Sequence, residues 1–144
     1  MRSILSSVFL FGIAMAAYAI DATDEGVYVL LSPDQQQETK KMFRLGFKEK
    51  RWSLESSQPD GTWSSALCDD GCELKPSSRE EVIRFNGIDE TEDASISCLN
   101  NSGFAFCRLA QSSGDPRYAL VVIDGKNTRR ILPLRRKSSS GDKP

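Results

Sequence analysis

Apolar and polar positions alternate along this chain in short runs broken by turn residues, the pattern of antiparallel strands with one buried face. Gly26-Val-Tyr-Val-Leu-Leu31 is the first run. Ser32-Pro-Asp-Gln35 has the form of a helix start with proline at the first helical position, and the polar stretch from Gln36 to Lys41 fits a short surface helix or a loop. Phe43, Leu45 and Phe47 then alternate with polar residues, Lys48-Glu-Lys-Arg51 can form a loop, and Trp52 and Leu54 continue the alternation on the return. Pairing Phe47 with Trp52 brings Leu45 opposite Leu54. Asp60-Gly61 is a strong hairpin signal, and folding there sets Leu54 against Leu67 and Gln58 against Trp63. These registers agree in placing Phe43, Leu45, Phe47, Trp52, Leu54, Trp63 and Leu67 on one face. A slip of one residue would turn that set to water.

Farther on, Ser77-Ser-Arg-Glu80 has the form of a capping box, Val82, Ile83 and Phe85 make an apolar stripe, and Gly87 is placed to end a helix. The pattern predicts that helix over residues 78–86. A second hairpin joins Ser95–Leu99 to Phe104–Ala110; a turn at Ser102-Gly103 sets Cys98 opposite Cys107 and Ile96 opposite Leu109, with Leu99 and Phe106 on the other face. A last hairpin joins Arg117–Ile123 to Thr128–Leu134 through Asp-Gly-Lys-Asn127, and Pro133, lacking an N–H for a ladder, predicts that the final strand is an edge. Together these elements predict a mainly β fold, a small antiparallel β-barrel or β-sandwich of about seven or eight strands with one or two short helices.

The ends of the chain change the picture. Arg2, the apolar stretch from Val8 to Ala17 and Ala17-Tyr-Ala19 have the order of a cleavable signal peptide. A spanning helix needs about 20 apolar residues, and here Asp21, Asp24 and Glu25 follow at once. The expected organisation is a signal peptide over residues 1–19, one β-rich domain over 20–137 and a disordered polar tail over 138–144. Removing the leader takes only Arg2 from 19 basic and 20 acidic side chains, so the balance gives no general attraction to nucleic acid or anionic membrane. Neither nucleic-acid binding nor membrane insertion after cleavage is expected. The expected location is the periplasm, with secretion to the extracellular space as the alternative; only on the eukaryotic route would Asn100-Asn101-Ser102 be a glycosylation acceptor. Four cysteines in an exported chain predict two disulfides, with Cys98–Cys107 permitted by register and Cys68–Cys72 as the complementary local pair. Their spacings fit neither a four-cysteine zinc site nor a C-x-x-C redox pair.

The chain has no histidine, which removes the histidine-dependent serine and cysteine hydrolases and the histidine-ligated zinc hydrolases. Ser140-Gly-Asp-Lys143 matches a serine–lysine spacing only within the polar tail, and no glycine-rich phosphate loop is present. Asp69, Asp70 and Glu73, and Asp89, Glu90, Glu92 and Asp93, are the candidate carboxylate pairs for glycoside hydrolysis, but carboxylates bunched in turns are ordinarily solvated, and the calcium-loop spacing is missing. Basic residues from Lys40 to Arg51, interleaved with Phe43, Phe47 and Trp52, and the cluster Arg129, Arg130, Arg135, Arg136 and Lys137 read as solvated surface rather than a single-strand platform. Ser113-Gly-Asp-Pro-Arg-Tyr118 resembles the Ser-Gly-x-x-Tyr loop motif of small periplasmic lysozyme inhibitors, with one residue more between Gly114 and Tyr118. Their second motif, Tyr-x-x-x-Thr-Lys-Gly, is not reproduced at Asp124-Gly-Lys126, and the loop is sufficiently explained as a turn.

No catalytic set, cofactor or metal is expected from these residues. The leading expectation is an exported, soluble, non-catalytic protein that binds another protein, an exported enzyme or toxin, as a periplasmic inhibitor or immunity-type protein. Its candidate partner-binding residues are Ser113, Asp115, Arg117, Tyr118, Asp124 and Lys126. The alternatives are a small-ligand or glycan-binding barrel, with a mouth lined by Trp52, Trp63 or Tyr118, and a carboxylate-dependent hydrolase. N-terminal sequencing of the protein taken from its native compartment is expected to begin at Ile20; an intact leader would remove the export reading.

Overall fold

The structure is a computed structural model, which describes residues 19–65, 73–86, 96–110, 114–123 and 128–139. Its strands are β1 (Gly26–Leu31), β2 (Glu38–Lys48), β3 (Arg51–Ser57), β4 (Trp63–Ser64), β5 (Glu73–Pro76), β6 (Ile96–Asn100), β7 (Phe104–Leu109), β8 (Arg117–Ile123) and β9 (Arg129–Ser139), with one helix, α1 (Arg79–Asn86), between β5 and β6. The sheet runs β2-β1-β9-β8-β7-β6-β5-β3, and β2 pairs with β3 to close an eight-stranded antiparallel barrel; β4 is a short addition to β3. The barrel, not the sandwich, is therefore the architecture. No helix among the described residues is long and apolar enough to cross a membrane.

Alternation of side chains divides each strand between an inside and an outside. Tyr28, Phe43, Leu45, Trp52, Leu54, Leu74, Leu99, Phe104, Phe106, Tyr118, Leu120 and Leu134 form one buried cluster within the barrel. In an eight-stranded barrel such side chains are large enough to fill the interior. Tyr28 meets Phe106 edge-on at 5.0 Å and Tyr118 at 4.8 Å. A second cluster lies outside the barrel, where Phe85 of α1 packs on Cys98, Ala105, Cys107 and Val121.

The meander register holds at its first turn, with Phe47 opposite Trp52 and Leu45 opposite Leu54. Phe47, its ring tilted against Trp52 at 4.6 Å, is 39% exposed. The next turn differs from expectation by one residue: Trp63 pairs with Ser57, not Gln58. Pro59 supplies the fixed φ wanted just after the first residue of a turn, and Gly61 N–H donates to Gln58 O at 2.9 Å. Gly61 then takes a left-handed φ of 86°, the bulge position of a three-residue hairpin loop. The slip carries Trp63 off the core face, and the Arg44 guanidinium lies 4.7 Å from its ring. Leu67, the last member of the expected set, lies outside the described residues.

Four other boundaries move. Of the two forms expected after β1, helix or loop, residues 32–37 take the loop, closed by Ser32 N–H donating to Gln37 O at 2.8 Å, but β2 begins at Glu38, inside the stretch expected to lie before the strand. The capping box forms one residue later than expected: Glu81 N–H donates to Ser78 Oγ at 3.2 Å and Ser78 N–H to Glu81 Oε1 at 2.9 Å. Ser77 is unavailable as the cap because its hydroxyl donates to Asn100 Oδ1 at 2.6 Å and its N–H to Cys98 O. Pro133 is not on an edge strand, since β9 lies between β8 and β1. The ladder to β1 stops at Leu134, however, so the partner recorded for Pro133 is Ala119 of β8. Finally, β9 continues through Ser138 and Ser139, which pair with Val27 and Gly26, two residues past the expected start of the tail.

The second hairpin follows its expected register at every predicted pair, with Cys98 opposite Cys107 and Ile96 opposite Leu109. Cys98 and Cys107 form a disulfide with Cα atoms 4.1 Å apart. Cys68 and Cys72 lie outside the described residues.

Phe106, with no exposed surface at the centre of the aromatic cluster, sets a measurable stake in this packing. Phe106→Ala is expected to destabilise the barrel by about 3–5 kcal/mol, read as a lowered urea midpoint; a midpoint unchanged from wild type would contradict the filled interior.

Candidate functional site

Two sets of residues are brought together by the barrel: a buried polar cluster at one end and an open groove on the outer wall.

The polar cluster grows from the residues before β1. A 3-10 turn at Ala22–Asp24 is capped by Asp21, and Asp24 folds back so that its Oδ2 accepts from the Asp21 N–H at 3.0 Å. Asp24 is 1% exposed. A buried carboxylate is costly unless it is paired and hydrogen-bonded, and here the Tyr118 hydroxyl donates to Oδ1 at 2.7 Å while Arg108 Nη1 approaches Oδ2 at 3.4 Å. Tyr28 donates its hydroxyl to the Asp24 backbone carbonyl. Arg136 of β9 donates to the Thr23 and Glu25 carbonyls, the latter at 2.8 Å. Glu25 Oε1 accepts from Phe47 N–H at 2.5 Å, and Ile20 packs against the interior cluster. These contacts bind the segment before β1 to β2, β7, β8 and β9 at one mouth. Each Asp24 oxygen is already engaged, so the carboxylate works as an anchor.

Burial raises the Tyr28 phenol far above the ordinary tyrosine range, with the neighbouring Tyr118 as the next cause. Burial raises Tyr118 as well, reinforced by its hydrogen bond to Asp24 and by that carboxylate's charge.

The groove runs from the start of β6 across the outer face of β7, β8 and β9 to the end of β1, and encloses about 740 Å³. Cys107 pairs with Ala119, and Ala119 with Pro133. Their short side chains, with Leu31 beyond, make the floor; Ile96 and Leu109 make one wall. Arg117, Arg135 and Lys137 supply positive charge at the rim, beside Asp115 and Gln35. Glu38 holds Arg135 at 3.5 Å and Lys137 at 3.2 Å. Arg117 has no salt bridge among the described residues.

Of the residues expected from the sequence to meet a partner, Asp115 and Arg117 are exposed on this rim. Tyr118 points the other way: it is 6% exposed, and its hydroxyl is committed to Asp24 within the barrel. Ser113, Asp124 and Lys126 lie outside the described residues. The sequence reading missed Ala119 and Pro133, whose signal was two small residues on the outward phase of otherwise bulky strands. Arg135 and Lys137 were visible only as members of a charge run. Among the described residues, no cluster of acidic or cysteine side chains has the grouping of a metal site.

The chain holds three tyrosines, Tyr18, Tyr28 and Tyr118. In a chain beginning at Ile20, ultraviolet titration is therefore expected to show no phenol ionising in the ordinary range near pH 10 while the barrel stays folded. Because both folded-state values are raised, the unfolded chain releases its protons first, and stability is full below about pH 10 and falls as the pH rises beyond it. Reversible ionisation of a folded barrel near pH 10 would contradict the burial of this cluster. No family model, no curated protein and no solved structure matches the chain.

Proposed function

We propose that the protein is an exported, soluble, non-catalytic barrel whose work is to bind another protein, most concretely as an inhibitor or immunity-type protein of the periplasm. One contrast carries this reading. The interior is packed with twelve clustered side chains, whereas the outer wall carries an open groove with an apolar floor and a charged rim. Small molecules are ordinarily enclosed in concave pockets that bury most of their surface; a filled barrel with an outer hollow suits a partner that brings its own bulk. Charges at the rim suit the steering of that partner and the choice between partners. The Asp24 cluster supports a structural role for the one fully buried carboxylate among the described residues, since its oxygens are held by Tyr118, Arg108 and the Asp21 amide.

The test is affinity capture with the purified barrel from its native envelope, followed by mass spectrometry. The expected result is a stoichiometric exported protein whose own activity falls when the barrel is added. Recovery of a tightly held small molecule instead, or hydrolysis of cell-wall glycan by the barrel alone, would overturn the reading.

A further inference from the structure

We infer that the outer groove is a docking site for an extended acidic segment of a partner protein, with a carboxylate set between Arg117 and Arg135 and an apolar side chain on the Ala119–Pro133 floor. This rests on the protein-binding reading and specifies the chemistry of its partner.

The argument begins with an unfavourable arrangement. Tyr118 pairs with Leu134 across β8 and β9, and continuing that register by one residue sets Arg117 across from Arg135. Both are on the outward phase, and both line the groove. Like charges directly opposite on adjacent strands destabilise a sheet. Glu38 relieves Arg135 in part, at 3.5 Å, but shares itself with Lys137. Asp115 lies at the same rim and forms no salt bridge with Arg117 among the described residues. An arriving carboxylate would take Arg117 and share Arg135, converting a repulsion into two charge-assisted hydrogen bonds.

The floor decides what kind of anion fits. Ala119 is flanked along β8 by Arg117 and Val121, and Pro133 along β9 by Ile131 and Arg135. Two short side chains side by side thus make a hollow walled by longer ones. Leu31, Cys107 and Leu109 add apolar surface around the floor, which an inorganic anion would leave uncovered. A nucleic-acid backbone would carry successive negative charges past Asp115 on the rim and past Glu38, the partner of Arg135 and Lys137. An alternation of acidic and apolar side chains meets both the arginine pair and the floor. From Ile96 on β6 to Leu31 on β1 the groove crosses five neighbouring strands, about 19 Å at the usual strand spacing and so about six extended residues.

The experiment uses fluorescein-labelled hexapeptides that alternate leucine or phenylalanine with aspartate or glutamate, and the same peptides with asparagine, glutamine or lysine at the acidic positions. Anisotropy titrations at low salt are expected to show the acidic set binding about tenfold or more tightly than the neutral set. Arg117→Ala and Arg135→Ala should each weaken the acidic peptides severalfold, yet leave the thermal midpoint of the barrel unchanged or raised, because each removes a like-charge neighbour. Ala119→Arg, which fills a half-exposed position, should abolish binding in a barrel that still folds. Equal binding of acidic and neutral sets, no binding by either, or indifference to both arginine variants would overturn the inference. Affinity capture repeated with the Ala119→Arg variant separates this failure from that of the broader reading. A partner retained by both wild type and variant takes the groove out of the function but leaves the function standing, while peptide selectivity with no captured partner does the reverse.

Discussion

The structure depends on one seam, the ladder between its first and last strands. Gly26 to Leu30 pair with Leu134 to Ser139, and only this pairing, together with β2 against β3, turns a curved sheet into a closed one. Without it, β1 and β9 would be edges with rows of unpaired N–H and C=O groups, and Tyr28, Phe106 and Tyr118 would share an open face in place of a filled interior. The plug formed by residues 20–25 acts on the same seam. Arg136 of β9 holds the carbonyls just before β1, and Asp24 ties that segment to β7 and β8.

Closure also explains why an outer surface becomes the interesting one. A barrel of this size spends its inner face on itself. Recognition is left to the outward phase of each strand, and there the wall is uneven: α1 covers the disulfide and Val121 on one side, while Ala119 and Pro133 remain open beside it. The same alternation that buries Tyr118 and Leu134 in the interior presents Arg117 and Arg135 to solvent.

Much of this was legible in the sequence because the strand period is short and its consequences are steep. The pairs Phe47–Trp52, Leu45–Leu54 and Cys98–Cys107 all follow from alternation between clear turns. What was not legible depended on contacts distant in sequence. Pro133 looks like an edge residue locally, and nothing nearby reveals that β9 lies between β8 and β1 while its ladder to β1 stops at Leu134. Ser77 and Ser78 are equally good caps until Asn100 claims the first. Pro59 did carry a local signal for the shifted turn, overshadowed by Asp60-Gly61. The strand at Glu73–Pro76, with a single apolar residue buried and a proline at its end, had too little pattern to be seen. Asp24, one acid among several near the leader, gave no sign of burial, because its partners Arg108 and Tyr118 lie more than eighty residues away.

The placement of that seam has a kinetic consequence. Loop-closure entropy must be overcome before distant strands reward their pairing, and here β1 waits for β9, the last of the described strands. The meander of β2 and β3 and the hairpin of β6 and β7 can form from local contacts. The barrel as a cooperative unit cannot exist until β9 arrives to sit between β8 and β1. A nascent chain of this topology therefore stays open until β9 has emerged and then closes in one late event.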